Sequence, residues 1–200
     1  MVKKLKFLKV TNKFYWVGDI MRINAGIYKR HNIYMTNLET TRETSDKVRQ
    51  AIFNLIGQYF EGEVVLDLFA GSGAMALEAI SRGASKAYFN DINKKALAVC
   101  KKNIELLKIE KPCILLNYDY KEAIKKIDKE ELDIIFLDPP YKMNNTKEIM
   151  TDIDSTQILK KKGIVSFEMA KETQTSEVEG YTILKEKIYG IKKVVIYQKN

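Results

Sequence analysis

Cysteine, proline, histidine and tryptophan are all scarce in this 200-residue chain, at 2, 3, 1 and 1 residues. Cys100 and Cys113 stand in neither a CxxC nor a zinc-site spacing. They argue against a disulfide scaffold and read as packing residues in a reducing cytosol. With 3 prolines and 10 glycines the chain is neither collagen-like nor a Pro/Gly linker. No apolar run approaches the roughly 18 residues of a membrane span, so no membrane partner is expected. The N-terminal Met1-Val2-Lys3-Lys4-Leu5-Lys6-Phe7-Leu8 lacks the sustained apolar stretch and cleavage site of a secretory signal. Arginine and serine are absent from the first 20 residues, which argues against a transit peptide. A cytoplasmic location is expected, with Met21 a candidate alternative start.

What is present is an ordinary globular composition, 46% apolar and 30% charged. It can build a full core without a metal or disulfide staple. The charge is uneven. Of the net +8, residues 1–38 hold eight basic side chains against Asp19 alone, and the remainder is close to neutral. A basic segment on a neutral body fits a polyanion contact, most simply nucleic acid. Charge alone fits a solubilising tail equally well.

Residues 21–41 read as short strands with turns, a small β appendage. Thr44-Ser45-Asp46 can cap a helix. Val48, Ile52, Leu55, Ile56 and Tyr59 follow on one stripe, up to Gly62. Five apolar strands then alternate with helices. The strands are Val64–Leu68, Ala87–Phe89, Cys113–Leu116, Leu132–Leu137 and Ile164–Phe167. The helices are Met75–Ser81, Lys94–Leu107, Tyr120–Ile127 and Lys147–Leu159. Continuously apolar strands separated by helices specify a doubly wound, mostly parallel α/β sheet. Tyr181–Ile188 and Lys192–Gln198 read as a C-terminal antiparallel hairpin, completing seven strands.

Chemistry concentrates where those strands end. Asp67-Leu68-Phe69-Ala70-Gly71-Ser72-Gly73 is a Gly-rich turn into a helix, and its glycines permit close backbone approach. The third glycine of a dinucleotide fingerprint is replaced by Ala76. An acid before the glycines suits a cationic or hydroxyl-bearing ligand, such as the amino-acid part of S-adenosylmethionine, better than a phosphate. Asp91 ends the second of these strands, where a carboxylate can take both ribose hydroxyls. Asp119, after the third, can accept from an adenine amine. Each is also a plausible helix N-cap. Asp138-Pro139-Pro140-Tyr141 follows the fourth strand. Two prolines stiffen the turn and remove backbone donors, leaving the Asp138 carboxylate and Pro139 carbonyl as paired acceptors for an exocyclic amine. Tyr141 can stack on an extruded base.

These stretches, with Arg22-Ile23-x-x-Gly26, Arg42-x-Thr44-x-Asp46-x-Val48-Arg49 and Leu77-Glu78-Ala79, resemble the RsmD-type 16S rRNA guanine-N2 methyltransferases. The likeness runs from about Met21 to the C-terminus. Departures are Glu43, where the family usually has proline, and Lys29-Arg30-His31-Asn32-Ile33 in place of a Gly-Arg-Lys-Leu-like run. The resemblance implies a Rossmann-like, S-adenosylmethionine-dependent domain over 44–200. It implies an RNA-contacting extension and β appendage over 1–43.

By position, the resemblance implies Asp67, Phe69, Ala70, Gly71, Gly73, Asp91, Ile92, Asp119 and Tyr120 around S-adenosylmethionine. It implies Asp138, Pro139, Pro140 and Tyr141 as the target-base site. Arg22, Lys29, Arg30, Arg42 and Arg49 become candidates for phosphate contacts or for holding a closing loop. An ordinary solvated or salt-bridged arginine is the alternative at Arg49. Trp16, Phe14 and Tyr15 read as packing for the extension, and His31 as a loop residue near RNA. The expected partner is rRNA of the small ribosomal subunit, acted on by a monomer without a metal. Two rival readings fit the same residues: an adenine-N6 methyltransferase, and a module that binds S-adenosylmethionine or RNA without catalysis.

Overall fold

The computed structural model describes residues 20–36, 45–140, 143 and 145–200. Trp16, Phe14, Tyr15, Arg42 and Tyr141 lie outside the described residues. The described residues begin with an antiparallel hairpin, β1 (Ile20–Arg22) and β2 (Asn32–Tyr34), and α1 (Asp46–Ile56) comes next among them. Next come β3 (Val64–Asp67), α2 (Ala74–Ser81), β4 (Lys86–Asn90), α3 (Lys94–Leu106), β5 (Cys113–Leu116) and α4 (Tyr120–Ile124). The last elements are β6 (Leu132–Leu137), α5 (Thr146–Thr156), β7 (Leu159–Ala170), β8 (Tyr181–Tyr189) and β9 (Lys192–Lys199).

The main sheet has seven strands in the order β5-β4-β3-β6-β7-β9-β8. The first five in that order pair in parallel. β9 is antiparallel to both β7 and β8. The expected doubly wound sheet with a terminal hairpin is therefore present. The chain winds outward from β3 through β4 to β5, then returns to β6 on the other side of β3. Such a reversal opens a crevice at the carboxyl ends of β3 and β6, where open α/β sheets bind ligands.

Alternation along each strand builds two cores. Val65, Phe89, Ile134, Phe136, Val194 and Ile196 face one side, with Val48, Ile52 and Phe53 of α1 and Leu77 and Ile80 of α2. Met21, Ile23 and Ile33 of the hairpin are buried in that same cluster. Leu66, Ile135, Leu137, Val165, Phe167 and Tyr197 face the other side, against Ile124 of α4 and Ile149, Met150 and Ile153 of α5. Each such side chain contributes about 1.5–3 kcal/mol by leaving water. Among the described residues no helix is long and apolar enough to cross a membrane.

Two of the boundaries that differ from the sequence expectation redirect a side chain. Helix α1 stops at Ile56, where Gly57 adopts φ 125°, so Tyr59 leaves the stripe and is 66% exposed. Helix α5 stops at Thr156, where Gln157 is left-handed. Leu159, expected at its end, instead begins β7 by pairing with Leu132. The three lysines at 160–162 give this strand start no apolar signal in the sequence. Lys160 is accommodated because its Nζ lies 2.9 Å from both carboxylate oxygens of Asp133 on β6.

Candidate functional site

The parallel strands β3, β4, β5 and β6 end on one edge, and that edge gathers the residues the sequence singled out. Asp67 closes β3 and is buried. The next turn is fixed by backbone bonds: Ala70 N–H donates to Asn90 O at 2.8 Å, and Gly73 N–H to Ala70 O at 2.7 Å. Gly73 sits at φ 81°. A Cβ there would come within 3.0 Å of the Phe89 ring and 3.1 Å of Cys100 Sγ. Only glycine combines that conformation with that close approach. The Cys100 thiol in turn donates to Gly71 O at 3.1 Å.

Asp91 lies just past β4. Its Oδ2 accepts the Gly71 N–H at 3.0 Å and its Oδ1 accepts the Asn93 N–H at 2.8 Å. One carboxylate thus locks the Gly-rich turn to the start of α3. Burial pushes the Asp91 carboxyl above the ordinary aspartate range, opposed by those two N–H groups. The cap of α3 is Asn93, whose side chain accepts from Lys95 N. Ile92, beside Asp91, is 73% exposed.

Asp119 is the N-cap of α4 and accepts from the Lys121 and Glu122 backbone N–H groups. This capping is the alternative that the sequence allowed; the carboxylate is also at the strand-end edge. Tyr120 is buried, with its hydroxyl donating to Asp152 Oδ2 at 2.8 Å. Burial and Asp152 push its phenol up to about 12. The Phe69 ring packs 6.1 Å from that of Tyr120, which gives the edge an apolar floor.

Asp138 and Pro139 follow β6 and are half-buried, and Pro140 is exposed. Pro140 O accepts from Met143 N at 2.7 Å, and Asn145 caps α5 through Glu148 N. β3 and β6 are adjacent, with Asp67 in register with Phe136 and Leu68 N–H donating to Phe136 O at 3.1 Å. The Asp-Pro-Pro turn and the Asp67 turn therefore leave neighbouring strands.

In the hairpin, Arg22, Lys29, Arg30 and His31 are exposed. Arg49 is not: its side chain has no exposed surface. Its guanidinium donates to Arg22 O, to Met21 Sδ at 2.8 Å and to Asp46 Oδ1 at 2.8 Å. The phosphate-contact reading of Arg49 is thus corrected to the salt-bridged alternative, because β1, α1 and α2 enclose it.

Residues that the sequence reading passed over also shape the edge. Asn90 donates to Leu68 O at 3.0 Å and accepts from Tyr118 N at 3.3 Å, and Asn117 donates to Asp91 O at 2.8 Å. These amides tie three successive strand ends together. An asparagine beside Asp91 and another two residues before Asp119 are the signal available in the sequence. Lys192 Nζ reaches Asp138 Oδ2 at 3.2 Å, from a position 54 residues away that carried no local signal.

The edge is rich in acceptors. A group carrying an ammonium, a sulfonium, ribose hydroxyls and an amine matches Asp67, Asp91 and Asp119. A pyrophosphate would meet carboxylates at the same turn. The acceptor set therefore fits S-adenosylmethionine rather than a dinucleotide.

Comparison with known proteins gives the family and the relatives of the chain. The family described as Conserved hypothetical protein 95 matches residues 21–198. A Bacillus subtilis protein named "Putative rRNA methyltransferase YlbH" is 38% identical, covering 90% of this chain and 99% of its own length. The "Ribosomal RNA small subunit methyltransferase D" of Haemophilus influenzae is 31% identical, covering 90% and 94%. Among solved structures, a conserved hypothetical protein of Streptococcus pyogenes is 40% identical with a TM-score of 0.72, covering 76% of this chain and 95% of its own. A Haemophilus influenzae structure described as a "putative methylase" is 28% identical with a TM-score of 0.76, covering 90% and 98%.

Proposed function

The chain belongs to the family described as Conserved hypothetical protein 95, and on that premise we propose that it is an S-adenosylmethionine-dependent rRNA methyltransferase. The target is the exocyclic N2 of a guanine in small-subunit rRNA. The observation that carries this reading is the adjacency of the two turns. The Asp67–Gly73 turn leaves β3, and the Asp138-Pro139-Pro140 turn leaves the neighbouring β6. Neighbouring strands lie about 4.8 Å apart, so a donor held at one turn lies beside a base held at the other.

Bound S-adenosylmethionine supplies a methyl made electrophilic by its sulfonium. Asp67 and the Gly71–Gly73 turn would hold its amino-acid end, Asp91 its ribose and Asp119 its adenine, with Phe69, Ala70, Ile92 and Tyr120 around them. The guanine amine donates its two N–H bonds to the Asp138 carboxylate and the Pro139 carbonyl. That fixes the nitrogen lone pair toward the methyl. Positioning of this kind, rather than acid or base strength, supplies most of the rate. The proton shed after transfer goes to Asp138 or water. Tyr141 stacks on the base, which must be unpaired or extruded. Arg22, Lys29, Arg30 and Arg42, with the lysines before Met21, contact phosphates; residues 1–43 are the RNA-facing part. The enzyme acts as a monomer in the cytoplasm.

The test is transfer from labelled S-adenosylmethionine to small-subunit particles from cells lacking the protein, followed by nucleoside analysis. Labelled N2-methylguanosine is expected. Labelled N6-methyladenosine would overturn the substrate assignment while keeping the amine chemistry. Asp138→Ala should abolish transfer with cofactor binding retained.

A further inference from the structure

Lys192 and Glu168 occupy diagonal positions on one face of an antiparallel pair. Glu168 of β7 is in register with Val194 of β9, and Ala170 with Lys192. Long side chains reach each other across such a diagonal, and the Lys192 ammonium is ion-paired with Glu168. The pair is withdrawn from water, with side chains only 9% and 3% exposed. The same ammonium lies 3.2 Å from Asp138 Oδ2, whose side chain keeps 32% exposure. The result is a chain of alternating charge, Glu168 to Lys192 to Asp138. It runs from the buried interior of the sheet to the half-open Asp-Pro-Pro turn.

Burying an ammonium and a carboxylate carries a desolvation cost that their attraction must offset. An apolar pair would fill the same space without that cost. What the ion pair adds is a fixed cation at the root of the turn. We propose that Lys192 is a positioning residue for methyl transfer. It holds Oδ2 of Asp138 and so sets the orientation in which that carboxylate meets the target amine, while Glu168 holds Lys192. The inference rests on the reading of the Asp138 turn as the amine site, and adds to it a residue from the C-terminal hairpin. Without the ammonium, Oδ2 of Asp138 loses the charged partner that fixes its orientation toward the amine. A misplacement of about 1 Å costs up to roughly 100-fold in rate.

The test uses the full chain and two variants. Lys192→Met alone strands the Glu168 charge in the interior, and its loss of activity would be ambiguous. Lys192→Met with Glu168→Gln removes the stranded charge along with the cation. The proposal expects this double variant to melt near the wild-type temperature and to bind S-adenosylmethionine within about 2-fold. It expects kcat to fall roughly 10- to 100-fold with little change in the KM for RNA. A purely structural role expects the double variant to regain the wild-type kcat, and that result overturns the proposal. A double variant that fails to fold overturns it too, by assigning the pair to stability. A second readout needs no turnover. In the nitrogen NMR spectrum of lysine ammonium groups, the Lys192 signal should shift in Asp138→Asn, and an unmoved signal sinks the contact itself. If the wild-type chain transfers no methyl to small-subunit RNA, the reading of the site fails and the positioning role with it. That outcome differs from a wild type and a double variant that transfer equally, which sinks the Lys192 role alone.

Discussion

Arg49 Nε lies 3.5 Å from Glu78 Oε2, and neither side chain has any exposed surface. The Glu78 carboxylate also accepts the backbone N–H groups of Asn24 at 2.8 Å and Ala25 at 2.9 Å, and Arg82 Nε at 2.8 Å. Arg82 further lies over the Phe53 ring at 4.4 Å. A single acid on α2 therefore binds the hairpin turn, α1 and its own helix. Glu78→Ala would take the carboxylate from buried Arg82, leave Arg49 with Asp46 as its ion-pair partner, and leave two backbone donors unmatched. Breaking a buried pair from one side costs about 3–5 kcal/mol, and urea unfolding should show a loss of that order. Hydrogen exchange at Asn24 and Ala25 should accelerate sharply. Protected amides with a loss under about 1 kcal/mol would mean that the network is incidental.

The hairpin docks so closely that one glycine has no substitute. Gly26 sits at φ +83°, and a Cβ there would lie 1.8 Å from the Ser81 carbonyl oxygen. That oxygen already accepts the Ile27 N–H at 2.8 Å. Gly180 has nearly the same angle, φ +80°, with no atom within 4 Å of the added carbon. The two positions separate strain from collision. Gly180→Ala should cost about 1–2 kcal/mol, the price of a left-handed residue. Gly26→Ala should cost more than that, because backbone must move, and it should undock the hairpin. Equal losses for the two variants in chemical unfolding would refute the packing argument.

The contrast between legible and illegible parts follows from range. The Leu132–Leu137 strand and the Asp67–Gly73 turn were readable because their signal is local: a continuous apolar run, and glycines after an acid. Arg49 is ambiguous because only Asp46 is local to it, while Arg22 and Glu78 stand 27 and 29 residues away and no pattern within α1 announces them. Lys192 and Lys193 look like a solvated start to an apolar strand. They are buried because Lys192 meets Glu168 and Lys193 Nζ donates to Thr173 O at 2.6 Å and Thr175 Oγ1 at 2.7 Å. Tertiary charge pairing leaves no periodicity in the chain.

Cysteine chemistry gives a pH prediction. Burial pushes the Cys113 thiol up to about 11. Thiolate is the reactive form, so at pH 8 only about one Cys113 in a thousand is ionised. Iodoacetamide labelling of Cys113 in the native protein should rise about tenfold per pH unit well past pH 9, where an exposed thiol levels off. The neutral thiol favours the folded state. Its contribution is intact below the unfolded thiol range and is lost as pH rises toward 11. A labelling curve that levels off near pH 9 would show Cys113 to be exposed in solution.

Asp91 gives the sharpest test of the proposed cofactor binding, because its titration opposes the ribose contact proposed for it. Burial raises its folded carboxyl above the ordinary 3.8, so the unliganded fold holds that proton more tightly than the unfolded chain does. Stability from this group is therefore greatest below the unfolded value and falls as pH rises through the folded one. A ligand that donates ribose hydroxyls needs the ionised form. Binding of S-adenosylmethionine should consequently weaken as pH drops through the raised value, earlier than an ordinary aspartate would allow, and should release a proton there. Calorimetry in buffers of different ionisation heat measures that release. Asp91→Asn should remove the proton release and flatten the pH dependence. Hydrogen bonds to a charged group contribute about 1.5–3 kcal/mol, so the Kd should rise roughly tenfold or more. Proton release that survives in Asp91→Asn would place the ribose on another group.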